Sequence, residues 1–291
     1  MKDTDLYNQL EKDFYKQGMS DDWYSYMPNL EKYICDNFKR RSIGVMCDFA
    51  EEVNKVYTAV FPSDDVLNKI LDDGVYDSML FVHHALAWDL GKTPGVAFYE
   101  VNPELLEKLR ERRVSLFCFH APLDNFGEYS TGKTLAEAIG LEIEKPFFEY
   151  SGTLAGVIGN TTCKDTSELN AQYSQAIGHE TKLYQYGERT ITNKKVAVVA
   201  GGGCDDSVIN ELIKNEINVL ITGVTVENSY TTEAHKLAKQ NRINILGGTH
   251  YSSEKFACIA MCGYFEKLGL AAEFVEDKPC LDDLEKSWPA Q

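Results

Sequence analysis

Apolar positions along the chain alternate between helical spacing and short continuous runs. Leu6, Leu10 and Phe14 recur at i, i+4 and i+8, which predicts an amphipathic helix. Ser20-Asp21-Asp22 breaks it or caps a second one, and Leu30, Ile34 and Phe38 continue the helical spacing. This polar, Tyr-rich stretch shows no chemistry and is expected to cover the molecule or to make an oligomer contact. Ile43 to Cys47 reads as a strand. Residues 49 to 60 read as a helix, with Phe49, Val53, Val56 and Val60 on one face. Ser63 caps a further helix through Val66, Ile70 and Leu71. Tyr76 to Val82 is a strand that runs into His83-His84. Asn102-Pro103 opens a helix, Val114 to Phe119 is a strand ending at His120, and Thr134 to Ile139 is a helix closed by Gly140.

Residues 141 to 192 predict mixed β structure, with a strand at Phe147 to Tyr150 and tight turns at Gly152, Gly156 and Gly159. Then the first pattern returns. Lys195 to Ala200 is a strand followed by Gly201-Gly202-Gly203 and a helix through Val208, Leu212 and Ile213. Ile217 to Thr222 is a strand, Thr232 to Gln240 a helix and Ile243 to Leu246 a strand. Ser252-Ser253-Glu254 opens a long helix to Leu268, and Ala271 to Val275 is a last strand. Each half thus reads strand, helix, strand, loop, helix, strand, His-x-x-x-acid, helix. The expected fold class is α/β, with two similar α/β domains arising by internal duplication. Residues 1–143 hold the N-terminal extension and first domain, and residues 144–291 a bridging segment and the second domain. In such sheets ligands collect beyond the carboxyl ends of the strands, where His83, His84, His120 and His250 fall.

Those histidines carry the candidate chemistry. A single histidine after a strand is ordinarily a hydrogen-bonded core residue. Here two are adjacent, and two are followed one helical turn later by an acid: His120 by Asp124 and His250 by Glu254. Side chains on a regular strand alternate faces. His83 and His84 therefore share a pocket only if the strand ends between them, or they serve two ions side by side. Two metals roughly 3.5–4 Å apart are a recurring hydrolytic arrangement. We read His83, His84, His120, Asp124, His250 and Glu254 as one two-metal site. A mixed N/O donor set fits Zn, Mn, Fe or Co. Glu128 and Glu227 are candidate proton shuttles. His235, in a polar helix, is expected at the surface, and His179 is structural or exposed.

Composition narrows the partners. Among 291 residues, 45 acidic against 29 basic side chains leave a net charge of −16. Nucleic acid is excluded as a partner, and an anionic substrate is repelled unless bound cations offset the charge. No apolar run approaches the ~20 residues of a membrane span. The polar, acidic N-terminus lacks the pattern of a signal peptide. With eight scattered cysteines, a cytoplasmic protein with reduced thiols is expected. Cys258 and Cys262 share a helical face and read as buried small side chains. Gly201-Gly202-Gly203 reads as a tight strand-to-helix turn, since neither the P-loop Lys-Ser/Thr nor a G-x-G-x-x-G spacing accompanies it. Ser151 and Ser252 lack a partnered base.

Val82-His83-His84, His120-Ala121-Pro122-Leu123-Asp124, Thr222-Gly223 and Gly248-Thr249-His250-Tyr251-Ser252-Ser253-Glu254 stand in an order that resembles the Nif-three-like family, also known as type-two GTP cyclohydrolase I-like. The resemblance spans about residues 43 to 275. It implies two similar α/β domains, a dinuclear metal centre between them and a homo-oligomer, in many members a ring-shaped hexamer. Residue by residue it implies His83, His84, His120, Asp124, His250 and Glu254 as ligands, with Glu254 bridging. Ala85 stands where the family often has Pro, Ala121-Pro122 where it has Thr-Asn, and Val224 where it has an acid. These changes alter the pocket walls while keeping every ligand. The activity implied is metal-dependent hydrolysis of a small molecule, either a nucleotide-like heterocycle or a phosphoester. The alternative is a non-catalytic metal-binding regulatory protein. A third reading is a metal-free nucleotide-binding module built on Gly201 to Gly203.

Overall fold

In the computed structural model, residues 1–93 and 95–285 are described. The first half contains α1 (Asp3–Phe14), α2 (Asp36–Arg41), β1 (Gly44–Cys47), β2 (Lys55–Ala59), α3 (Asp64–Asp72) and β3 (Ser78–Val82). After these come β4 (Ala87–Thr93), β5 (Val96–Tyr99), α4 (Pro103–Glu111), β6 (Val114–Cys118), the single turn α5 (Ala121–Asp124) and α6 (Thr131–Ala138). The second half opens with β7 (Glu142–Tyr150), β8 (Thr153–Asn160), α7 (Thr166–Ile177), β9 (Lys182–Tyr184) and β10 (Lys195–Val199). It continues with α8 (Asp206–Lys214), β11 (Val219–Thr222), α9 (Thr232–Gln240), β12 (Asn244–Gly247), α10 (His250–Lys267), β13 (Ala271–Phe274) and α11 (Asp282–Glu285). No helix among the described residues is long and apolar enough to cross a membrane.

The chain is α/β, as its pattern predicts. One sheet has strand order β1-β6-β3-β2-β13 and another β7-β8-β10-β11-β12-β9, while β4 and β5 form a separate hairpin. Within the first sheet β2, β3, β6 and β13 run parallel, and within the second β10, β11 and β12 do. The capping residues act as their types dictate. The Ser63 side chain accepts the Val66 N–H at 3.2 Å, and Asn102 accepts the Glu104 N–H at 3.0 Å ahead of α4.

Each sheet separates two apolar layers. Tyr57, Leu80, Val82 and Leu116 face α3 and α4, while Val56, Met79, Phe81 and Phe117 face Met261 and Phe265 of α10. In the second sheet Val196, Val198 and Ile221 face α6 and α7, and Ala197, Leu220 and Ile245 face α8 and α9. This explains a departure from the expected pattern. Residues 49 to 60 are not a helix but an irregular stretch leading into β2. A short strand covered on both faces is apolar on both, so its period cannot be told from that of a helix. Its β-branched and aromatic side chains and its parallel pairing with β3 settle the form. The predicted helix through Leu30, Ile34 and Phe38 shrinks to α2. Leu30 and Ile34 are buried from turns instead.

The elements after the two His-x-x-x-acid segments are exchanged between sheets. Helix α6 packs on β8 and β10, whereas α10 packs on β2 and β13. The last strand pairs in parallel with β2 of the first sheet. Helices α6 and α10 lie against each other, which ties the two sheets together. Phe265 of α10 is fully buried against the first sheet, 5.6 Å from the Phe81 ring. Phe265→Ala is expected to lower stability by about 3–5 kcal/mol, seen as a lower denaturation midpoint in urea with little change in slope.

Candidate metal centre

The backbone brings His83 and His84 together where a strand ends. His83 N–H donates to the Ala59 carbonyl at 3.2 Å and His84 N–H to Val60 at 2.9 Å, just beyond the last residue of β3. His120 follows β6, and Pro122 in the first turn of α5 sets the angle at which Asp124 returns. His250 opens α10, capped by Thr249, whose hydroxyl accepts the Ser252 N–H at 3.1 Å. Three chain segments from both halves thus meet.

Their side chains form one buried cluster. Ring centroids of His120 and His83 are 4.9 Å apart, of His83 and His84 4.4 Å, and of His84 and His250 4.7 Å. Glu254 stands among them. Its Oε2 is 3.0 Å from His84 Nε2, and its Oε1 is 3.3 Å from His250 Nε2 and 3.5 Å from His83 Nε2. Asp124 lies on the other side, with Oδ1 3.5 Å from His83 Nε2 and Oδ2 3.8 Å from His120 Nε2. Donor atoms of His83, His84 and His120 fall within 4.8 Å of one another, as do those of His84, His250 and Glu254. All six predicted residues are therefore brought together.

The donor set fits cations. His83 Nε2, His84 Nδ1 and His250 Nδ1 are buried without a hydrogen-bond partner. Such atoms cost about 1–3 kcal/mol each when left unpaired. These buried His and Glu groups could hold a metal ion. Gly201 makes room for the carboxylate: a Cβ there would stand 2.1 Å from Glu254 Oε1, and its φ is +65°. The glycine run thus is a strand-to-helix turn with a second duty, which its position after β10 hinted at but did not show.

The electrostatics follow from burial. For His83 burial favours the neutral ring, but Glu254 and Asp124 override it and raise the pKa to about 9. Burial dominates at His84 and lowers its pKa. Burial of Glu254 opposes its charge, yet His250, His84 and His83 together pull its pKa well below the ordinary range. His120 is desolvated too, but Asp21 and Asp124 raise its pKa.

Several contributors escaped the sequence reading. Asp21 lies in the segment expected only to cover or to make contacts. Its Oδ1 is 2.9 Å from His120 Nδ1, and its Oδ2 accepts the Ala121 N–H at 3.1 Å. Trp23 abuts the His84 and His120 rings, Phe61 stacks on His84 at 4.7 Å, and Trp88 meets His250 at 4.4 Å. Asp283, fully buried, accepts the His250 N–H at 2.7 Å and the Trp88 indole N–H at 2.9 Å. Burial raises its pKa to about 6 against the opposing pull of His250. No local spacing marks a lone Asp in a polar segment as a support for a distant histidine.

Of the other residues singled out in the sequence, His235 departs from expectation. Glu128 is exposed and paired with Lys267 at 2.9 Å, a hydrogen bond that holds its carboxyl below the usual range. Glu227 is exposed as well. Among the described residues, neither hydrogen-bonds nor ion-pairs with the six clustered side chains. His235 is buried rather than exposed. Its Nε2 lies 2.8 Å from the Thr225 carbonyl and its Nδ1 3.0 Å from the Tyr186 hydroxyl, because the buried stripe of α9 runs through Ala234, His235 and Ala238. His179 is half-buried, with Nε2 2.8 Å from Ser252 Oγ. Cys258 is buried and Cys262 half-buried, and each thiol contacts β2.

Comparison with known proteins gives the family and the fold. Residues 34–279 match the family described as Duf34/NIF3 (NGG1p interacting factor 3). A GTP cyclohydrolase 1 type 2 homolog of Archaeoglobus fulgidus is 31% identical over 235 residues, covering 80% of this chain and 88% of the relative. Its namesake in Pyrococcus horikoshii is 29% identical over 239 residues, with the same coverage. Among solved structures, the protein ybgI, of unknown function, superposes with a TM-score of 0.74 at 20% identity, over 96% of this chain and 100% of that one. TTHA1606 of Thermus thermophilus gives 0.66 at 20% identity, over 96% and 99%. These structures share the fold.

Two outcomes are expected. Gly201→Ala, which crowds Glu254, lowers metal affinity on the order of 10–100-fold while the far-ultraviolet circular dichroism stays that of wild type; elemental analysis and competition titration check it. In chelated protein, the raised pKa of His83 contributes stability that is full below its ordinary value of 6.5 and is lost as pH rises through about 9. The thermal midpoint in chelator therefore falls between those values, and His83→Gln removes that part of the fall.

Proposed function

This chain belongs to the Duf34/NIF3 family, and from that premise we propose that it is a dinuclear-metal-dependent hydrolase acting on a small molecule. The observation that carries this reading is the single buried carboxylate of Glu254 within 3.0–3.5 Å of three imidazole nitrogens, with Asp124 and His120 beside them. In this reading His120 and Asp124 would hold one ion and His84, His250 and Glu254 the other, while His83 faces both carboxylates. Two divalent cations, of Zn, Mn, Fe or Co, would supply Lewis acidity and lower the pKa of water at the centre.

The chain's own groups define the rest. His83 is held by its Nδ1, 3.1 Å from the Phe119 carbonyl, which leaves Nε2 turned to the carboxylates. The Thr131 hydroxyl donates to Asp124 Oδ1 at 2.6 Å and orients that carboxylate. His83 is fully buried, whereas His120 is 8% exposed and Tyr150, 43% exposed, has its ring 6.3 Å from that of His120. A substrate approaches from this side, past Tyr150, and Phe61, Trp88 and Phe98 wall the opposite end around His84 and His250. Aromatic walls suit a planar heterocycle, and the relatives' names attach GTP ring chemistry to such chains. A phosphoester is the second substrate class, for which the two cations would offset the net charge of −16. The protein acts in the cytoplasm, as a homo-oligomer.

A screen of purified, metal-loaded protein against nucleotides, heterocyclic bases and phosphoesters tests this. Turnover of one compound, abolished in His120→Ala, is the expected result. Two bound ions without turnover across the panel would overturn the hydrolase and favour a metal-binding regulatory protein. Binding of nucleotide that is unchanged by chelation would favour the metal-free module.

A further inference from the structure

Two segments outside the stretch that matches the family reach into the cluster. The family match covers residues 34–279. Asp21 comes before it and Asp283 after it. Each carboxylate accepts a backbone N–H at the start of the helical turn that carries one His-x-x-x-acid segment: Asp21 Oδ2 from Ala121 at 3.1 Å, Asp283 Oδ2 from His250 at 2.7 Å. Each uses its other oxygen on a side chain of the cluster or its wall. Asp21 Oδ1 is 2.9 Å from His120 Nδ1, and Asp283 Oδ1 takes the Trp88 indole N–H at 2.9 Å, with that indole 4.4 Å from the His250 ring.

These carboxylates are shielded from water. The Asp21 side chain is 3% exposed and Asp283 is fully buried. The segments that carry them are fastened as well. The Asp283 carbonyl accepts the Thr225 and Val226 N–H groups at 3.1 and 2.9 Å, and Asp21 N–H donates to the Arg41 carbonyl at 3.2 Å. A carboxylate on the far nitrogen of a metal-binding imidazole fixes its tautomer and raises its basicity. A carboxylate on the first N–H of a helix also fixes where that helix begins.

We propose that Asp21 and Asp283 are paired positioning residues, each setting the affinity of one of the two metal ions independently of the other. Asp21 governs the ion on the His120–Asp124 side by holding the His120 ring. Asp283 governs the ion on the His250–Glu254 side by holding the start of α10 and the indole against His250. The inference rests on the two-metal reading of the site. The terminal segments therefore do more than cover the molecule: the family-matching core supplies the ligands, and the two ends set how tightly each ion is held.

The test is a titration of chelator-stripped full-length protein with Zn²⁺, followed by calorimetry and by a competing chromophore. Wild type is expected to take up two ions per chain. Asp21→Asn keeps the shape but places an amide donor against an N–H, and it should weaken one ion on the order of 10–100-fold and leave the other unchanged. Asp283→Asn should weaken the other ion alone. In a His120→Ala background, Asp283→Asn should still weaken the remaining ion while Asp21→Asn should not. If either Asn variant leaves both ions at wild-type affinity, or weakens both equally, the proposal is overturned while the two-metal reading stands. If wild type takes up no Zn²⁺, the metal reading itself has failed. Should an Asn variant lose its circular dichroism, the Ser variant at the same position replaces it. Unfolding of both would show a folding role only and overturn the proposal.

Discussion

A single carboxylate set among three imidazoles organises this molecule. Glu254 is 3% exposed, and no water shell can stabilise its charge. An ion buried in this way is tolerable only when paired and hydrogen-bonded on several sides. His83, His84 and His250 meet that demand, and each comes from a position the fold must hold within a fraction of an ångström. Much of the local architecture follows from this constraint. Gly201 has no Cβ because the carboxylate occupies its place, and Ser253 ties the Gly201 N–H at 2.8 Å. The Thr249 cap fixes the start of α10, so that His250 and Glu254 lie one turn apart on the same side.

The exchange of helices between sheets secures that arrangement. If α10 packed on its own sheet, Glu254 would ride on the second half alone, and His83 and His84 would be reached only across a loose boundary. Instead α10 lies on β2 and β13 of the first sheet, with Met261 and Phe265 in the same apolar layer as Phe81 and Phe117. The helix that carries Glu254 is thus built into the half that carries the paired histidines. Helix α6 does the converse on β8 and β10. Separation of the halves would expose both apolar layers, so hydrophobic burial over the whole interface keeps the six polar side chains together.

The aromatic shell adds a second layer of control. Trp23, Phe61, Trp88 and Phe98 stand edge-on, tilted or stacked against the imidazoles at centroid separations of 4.4 to 6.3 Å. They exclude water and lower the local dielectric, which strengthens each charge interaction at the centre. They also lock the rings, since a rotated imidazole would collide with its neighbour. The cluster is closed on this side by these rings.

The order of strands and helices was legible in the sequence wherever period and capping agreed, as at α3 and α4. So were the six clustered residues, because adjacent histidines and a repeated His-x-x-x-acid spacing are local patterns. Where the period was ambiguous the sequence misled: β2 reads as a helix because both its faces are apolar. Asp21, Asp283 and Trp23 were invisible as parts of the centre, and His235 looked exposed, because each gains its meaning from a partner distant in sequence. The chain by itself determined which side chains can bind a cation and which turns present them. Only the tertiary structure decided that β13 returns to the first sheet, that α6 and α10 trade places, and that the segments carrying Asp21 and Asp283 close on the cluster. Local spacing encodes what neighbouring residues do, whereas the pairing of sheet edges and buried surfaces is set by the free energy of the whole packed chain.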